Sequence, residues 1–355
     1  MFKVLDRYIG KTIVIAIFFT LLLLAGLSTT IRFVEQFRSI GRGTYDIWQA
    51  IAYTLFSIPK DIEIMFPMAA LIGALIGLGS LASGSELISM QAAGFSRLRI
   101  GLAVMKTSIP LIILMMIAGE WLVPHSEQTA KEIRYKAIRG TSLLSVQNGV
   151  WAKDGNNFIY IQKVTDKDKL QNIYVYQFNQ KRQLITQLHA DSAEYRNKQW
   201  WFSQMSQSTI NKDHIETNNY FNFPWKTNLT PDKLGIVATE PSTLSITGLA
   251  DYISFLQETG QDARRFQLNF WRKIFEPLSV GVMMLLALSF IFGPLRSVTM
   301  GARIVTGICF GFIFYITNEI FGPLSLVYNL PPLLGALLPS VLFLTITLWL
   351  FRHKK

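Results

Sequence analysis

Charged residues are scarce in this sequence: Asp, Glu, Lys and Arg make up 16% of its 355 residues, well below the quarter or so usual in a soluble domain. Cysteine is nearly absent as well. Cys309 stands alone in an apolar run and has no partner for an internal disulfide. His125, His189, His214 and His353 are scattered without the spacing of a metal site. No GxxxxGK followed by Ser or Thr appears, so the chain has no phosphate-cradling loop for ATP. GxSxG, HExxH, paired cysteines and the kinase signatures are missing too, which leaves no residue set for catalysis and none for a metal or another cofactor.

What is present in excess is apolar sequence, 50% of the chain. An uncharged helix of about 20 residues crosses a hydrocarbon core. Thr12 to Ile31, Ile64 to Ala82, Ile100 to Val123, Ile274 to Phe292, Ile304 to Phe321 and Leu330 to Phe351 fit that length, with Lys106, Glu276 and Glu319 as their ionisable exceptions. Charge at Lys3, Asp6, Arg7 and Lys11 precedes the first run, and no small-residue cleavage site follows it, so the expectation is a retained anchor. Ile47 to Ile58 is too short to cross alone and stops at Pro59, which predicts an interfacial segment or a lead into the second span. Glu276 and Pro277 are expected in the first turn of the fourth span, where proline costs least. Gly73 with Gly77, and Gly307 with Gly311, form two GxxxG pairs that let helix backbones approach where lipid supplies no hydrophobic drive.

Between the third and fourth spans the period changes from helical to strand-like. Phe158 to Ile161, Ile173 to Tyr176, Leu184 with Ile185, and Trp200 to Phe202 are short β-favouring runs separated by turn signals such as Asp154 to Asn157. They predict an antiparallel sandwich or jelly roll from Gly140 to about Leu244. The flanks, Glu127 to Arg139 and Leu249 to Phe270, read as helices that extend the neighbouring spans. The plan is therefore a membrane α-helical bundle of six spans with an inserted antiparallel β domain. Residues 1–124 hold three spans, 125–265 the β domain and 266–355 three more.

Two polar features ask for a purpose. Basic residues flanking the spans are nearly balanced between the two sides, so the positive-inside rule favours cytoplasmic termini only slightly and leaves Arg32 and Arg38 on the outer side. They suit an anionic ligand, or else local pairing with Glu35 and snorkelling to the interface. A net charge of +11 suits lipid head groups; the basic residues lie beside membrane segments, which speaks against nucleic acid. The second feature is the connection after the second span. Ser83 and Glu86 read as a capping box, Leu87, Ile88, Met90 and Gln91 continue a short helix at about 84–94, and Gly94 stops it. With nothing of its own chain to bury against, this helix is expected either to dock in a partner's groove or to be an interfacial turn.

Taken together, several stretches resemble the LptF/LptG permeases of the lipopolysaccharide exporter. They are Leu5 to Thr12, Phe66 to Leu71, Ser85 to Leu87 with Met90 to Ala92, Val104 to Thr107, Trp151 to Phe158, Trp225 to Pro231, Ser289 to Arg296 and Arg303 to Gly307. The resemblance covers nearly the whole chain and is weakest between about Lys163 and Phe223. It implies a non-catalytic half-transporter of the bacterial inner membrane with a periplasmic β-jellyroll. Its implied partners are the paralogous permease LptF, a dimer of the ATPase LptB that uses ATP and Mg, and the membrane-anchored LptC. By the same resemblance Glu86, Leu87 and Met90 seat on the ATPase, and the first and fifth spans line lateral gates for lipopolysaccharide. Arg32, Arg38 and Arg134 would approach its phosphates and core sugars. Ser39 stands where a further basic residue is often found. A lipoprotein-release permease and a membrane-anchored scaffold are the rivals; the three-plus-three layout disfavours the first.

Overall fold

A computed structural model describes residues 4–140, 149–166, 168–211, 214–227, 229–231, 241–293 and 298–352. The chain divides into two compact units. One is formed by Met1–Arg38, Thr54–Glu127 and Gln267–Lys355, the other by Ser39–Tyr53 and Gln128–Phe266.

The first unit is helical. Its elements are α1 (Val4–Gln36), α2 (Ile47–Ser83) from Thr54 onward, α3 (Glu86–Ala92), α4 (Arg97–Ile117), α7 (Arg264–Ile291) from Gln267 onward, α8 (Met300–Val327) and α9 (Pro332–Arg352). Among the described residues, six helical stretches are long and apolar enough to cross a membrane. α2 is the central one, and of the two readings of Ile47 to Ile58 it bears out the lead into the second span: those residues are its first turns, although Pro59 does not end the segment and lies, with Pro67, inside the helix. A proline in a helix removes one backbone donor, which neighbouring helices and side chains can offset inside a membrane bundle. α4 continues through a π-helical turn, Ala118–Leu122, into α5 (Val123–Arg139). α7 also starts well before the expected span, so Glu276 and Pro277 fall in its interior and not in its first turn.

The GxxxG seams explain how the helices meet. A Cβ at Gly73 would stand 2.5 Å from Ile17 Cα, and one at Gly77 would stand 3.0 Å from Ile13 Cα, so the glycines of α2 receive α1. A Cβ at Gly307 would lie 2.8 Å from Leu75 Cδ1, and one at Gly311 would lie 2.6 Å from Met68 Cγ, so the glycines of α8 receive α2. The core between them is aliphatic, with Ile9, Ile13, Leu71, Leu75, Leu78, Ile100 and Met283 fully enclosed.

The second unit is built on a sheet. Its strands are β1 (Val150–Asp154), β2 (Asn157–Asp166), β3 (Lys169–Phe178), β4 (Leu184–Arg196), β5 (Gln199–Ile210) and β6 (Ile215–Trp225). The order is β1-β2-β3-β4-β5-β6, every neighbouring pair is antiparallel, and the sheet is not closed. The β4–β5 hairpin pairs Arg196 with Gln199. Its two linking residues, Asn197 (φ 51°) and Lys198 (φ 63°), take the left-handed conformation that matches strand twist. Alternation puts Ile159 with Ile161, Ile173 with Val175, and Trp200 with Phe202 into one core. The pattern breaks after Phe202, where Ser203 and Gln204 are both exposed, and Met205, Ala190 and Trp225 join the same core, covered by Tyr252, Phe255 and Leu256 of α6 (Ile246–Glu258). The helical flank Leu249 to Phe270 is not one extension of the fourth span. α6 ends at Glu258, where Gly260 (φ 65°) and the Gln261 N–H bond to the Leu256 carbonyl close it, and α7 begins at Arg264. Residues 141–148 and 232–240 of the expected β domain lie outside the described residues, as do Arg296 and His353.

Candidate functional site

Arg32 stands one turn from the end of α1 and reaches across to α2. Its Nε donates to Asp61 Oδ2 at 3.3 Å and its Nη2 donates to Asp61 Oδ1. Asp61 is 2% exposed, whereas the Arg32 side chain keeps 24% of its surface open. Arg38 is exposed, in a short 3₁₀ turn, Phe37–Ser39. Arg134 belongs to the second unit, on α5. Its Nη2 donates to Ser39 Oγ at 3.3 Å, its guanidinium lies 5.7 Å from the centre of the Tyr53 ring, and its Nε is buried without a hydrogen-bond partner. The structure therefore joins Arg134 to Ser39, the position that breaks the basic pattern, and joins Arg32 to Asp61.

A second polar centre lies deeper in the helical unit and was not singled out in the sequence. Glu63 of α2 takes Lys60 Nζ on one carboxylate oxygen at 2.7 Å and Lys273 Nζ of α7 on the other at 2.8 Å. Lys273 also donates to the Gly119 carbonyl at 3.3 Å, inside the π-helical turn. A π turn interrupts the regular ladder and often marks a functional position. Glycine keeps the turn clear of the pair, since a Cβ at Gly119 would sit 2.9 Å from Glu63 Oε1 and push that carboxylate aside. Half-buried Glu276 lies within electrostatic reach of Glu63, Lys273 and Lys60. Glu63 and Lys273 are 5% and 9% exposed, and charge held this deep is affordable only when paired on both sides. The sequence signal was there, as Lys60, Asp61 and Glu63 crowd one side of the apolar run and Lys273 abuts another. It reads instead as a boundary, because Pro59 looks like a helix end.

The connection after α2 differs from its expected form. Ser83 is the last residue of α2 and caps nothing in α3, because its hydroxyl donates to the Gly79 carbonyl at 2.9 Å and accepts from Arg303 Nη1 at 3.1 Å. The residue before α3 is Ser85, at φ 60° and without a side-chain cap. Gly94 (φ 89°) does end the helix, its N–H meeting the Gln91 carbonyl at 3.0 Å. Nor is α3 unsupported, since Leu87 is buried in the helical core and Met90 packs against it. Glu86 lies within electrostatic reach of the Tyr8 hydroxyl on α1. The outward side carries Ile88, Ser89 and Ala92, and a cleft beside it is lined by Ala82, Leu87, Ile88, Gln91, Arg97, Ile291 and Phe292. Arg303 is itself buried and donates to the Gly79 carbonyl at 2.7 Å, so α8 caps the last turn of α2 just before α3 begins.

In the second unit the ionisable side chains play a quieter part. Burial pushes the Tyr252 hydroxyl up to about 12, and the hydrogen bond from Arg264 holds the exposed Asp262 carboxyl below the usual carboxylate range. Among the described residues no group of three His, Cys, Asp or Glu side chains is placed to hold a metal ion.

Residues 7–353 match the family described as lipopolysaccharide export system permease LptF/LptG. The chain is 60% identical over 357 residues to lipopolysaccharide export system permease protein LptG of Haemophilus influenzae, covering 100% of both chains. It is 55% identical over 356 residues to the protein of the same name from Escherichia coli K12, covering 99% of each. Similarity to lipopolysaccharide export system permease protein LptF of E. coli K12 is more distant, 28% identity over 115 residues and 31% of each chain. With its apolar helices, its inserted antiparallel sheet and a match along almost its whole length, the chain belongs to the LptF/LptG family of lipopolysaccharide export system permeases.

Proposed function

We propose that this permease is half of an inner-membrane extractor that takes lipopolysaccharide from the outer leaflet and passes it toward a periplasmic bridge, with LptF as the other half. One observation carries this reading. The two helices to which a gate role was assigned, α1 and α8, have only 22% and 17% of their most apolar windows buried within this chain, against 67% for α2. Phe18, Leu22 and Leu27 of α1, with Phe312, Ile313 and Ile320 of α8, are open. Helices so little covered by their own chain suit contact with lipid, a partner permease and acyl chains in turn.

In this reading the termini are cytoplasmic and the β unit periplasmic. Arg32, Arg38 and Arg134 hold phosphates or core sugars through charge-assisted hydrogen bonds. ATP and Mg are bound by an LptB dimer, with LptC beside the permeases, and this chain contributes no catalysis. α3 transmits the stroke: Leu87 and Met90 anchor it to the bundle, while Glu86 and the outward face around Ile88 meet the ATPase. Each buried CH₂ is worth about 0.8 kcal/mol, so several acyl chains cannot be fully hydrated on the energy of one ATP. The chains therefore stay in apolar surroundings along their route and do not cross open water.

The test is ATP-dependent release of lipopolysaccharide from proteoliposomes containing the assembled transporter. Glu86→Ala should abolish release or uncouple ATP hydrolysis from it. Wild-type release and lipid-stimulated hydrolysis in that variant would remove the coupling role, and a purified chain that carries neither an ATPase nor lipopolysaccharide would favour the scaffold.

A further inference from the structure

If Arg32 holds a lipid phosphate, that phosphate meets a guanidinium which already has an anion. Asp61 takes Nε and Nη2 with its two oxygens, the forked arrangement a phosphate would use. Asp61 is enclosed, while the arginine is partly open. Lys60, the neighbour of Asp61, is engaged with Glu63.

We infer that Asp61 is a built-in competitor for the substrate, so that a lipid head group gains Arg32 only by taking it from this carboxylate. The inference rests on the phosphate-holding role of Arg32 and adds a rule of selection to it. Removing Arg32 leaves a buried carboxylate short of its counter-charge, and such a loss is costly. A phosphodiester with one negative charge, as in an ordinary anionic phospholipid, replaces Asp61 only one for one and gains little. A phosphomonoester carries about −1.5 to −2 charge at neutral pH and three acceptor oxygens, so it can outbid Asp61 where the diester cannot. Asp61 is thus a specificity-determining residue that admits phosphomonoester lipids and turns away the bulk phosphodiester lipids of the membrane.

The experiment compares the full assembled transporter in nanodiscs containing either phosphatidylglycerol, a phosphodiester, or phosphatidic acid, a phosphomonoester, with photo-crosslinking from a position beside Arg32 as the readout. Wild-type protein should favour phosphatidic acid, and Asp61→Asn should narrow that preference roughly tenfold by raising phosphatidylglycerol capture. Asp61→Glu should keep the preference. An unchanged ratio in Asp61→Asn, with lipopolysaccharide capture still lost in Arg32→Gln, would overturn the competitor role and leave the phosphate site standing. Undiminished lipopolysaccharide capture in Arg32→Gln would overturn the phosphate site itself. Should Asp61→Asn not assemble, Arg32→Lys decides. It keeps the charge without the fork, and an unchanged lipid ratio in that variant would count against the inference.

Discussion

The two units of this permease place their charges in opposite ways. Among the described residues every buried charged side chain, Asp6, Asp61, Glu63, Glu127, Lys273 and Arg303, belongs to the helical unit. In the β unit the ion pairs Arg264–Asp262, Arg196–Glu194 and Lys169–Glu194 are at the surface, and the interior is aliphatic and aromatic. The contrast follows from what lies outside each unit. A sheet in water gains by turning apolar side chains inward. A bundle in lipid has no such gradient, so close packing and polar pairs between helices hold it together. Charge inside the helical unit therefore joins particular helices: α1 to α2 through Arg32 and Asp61, α2 to α7 through Glu63 and Lys273, and α8 to α2 through Arg303.

The sharpest way to break this contrast is to remove one buried charge. Lys273→Met should cost about 3–5 kcal/mol, because Glu63 loses one of two cations. Unfolding in detergent measures this, and Lys273→Met with Glu63→Met should recover most of the loss. A single variant as stable as wild type would mean that the pair joins nothing. The packing seam comes next. Gly73→Ala should cost about 1–3 kcal/mol, since its Cβ would meet Ile17 backbone, whereas Gly26→Ala, with nothing within 4 Å, should be nearly neutral. Equal effects would deny that α1 seats on the glycines of α2.

The smallest effect belongs to the β unit. Tyr252, pushed up to about 12 by burial, stays protonated in the folded chain after an unfolded tyrosine, near 10, has ionised. Its contribution is complete below about pH 10 and is lost as pH rises toward about 12. Spectrophotometric titration of wild type against Tyr252→Phe should reveal one tyrosinate appearing near that upper value, and a titration near 10 would show that the core admits water.

Much of this arrangement was legible in the residues. The spans show as runs of the right length, the seams as small residues four apart, and β2 and β3 as alternating Ile, Val and Tyr. The buried charges were not legible, because their partners lie far along the chain: Asp61 is 29 residues from Arg32, and Glu63 is 210 from Lys273. Locally, Pro59 followed by Lys60, Asp61 and Glu63 has the look of a polar boundary, and only the partners on α1 and α7 turn it into helix interior. The box at Ser83 and Glu86 failed for a similar reason, since Arg303 and Gly79 claim the serine from α2 and α8. Strand order is likewise not written in strand pattern. The same alternation suits a jelly roll or the open meander that forms.

The claim that matters most is that charge on α1 meets the exported lipid. It is tested most directly by a photo-crosslinking residue at the exposed position 31, beside an intact Arg32, in the assembled transporter supplied with lipopolysaccharide. An adduct that forms without ATP and declines as ATP is hydrolysed is the expected result. Adducts at Phe18 or Leu22 with none at position 31 would contradict it.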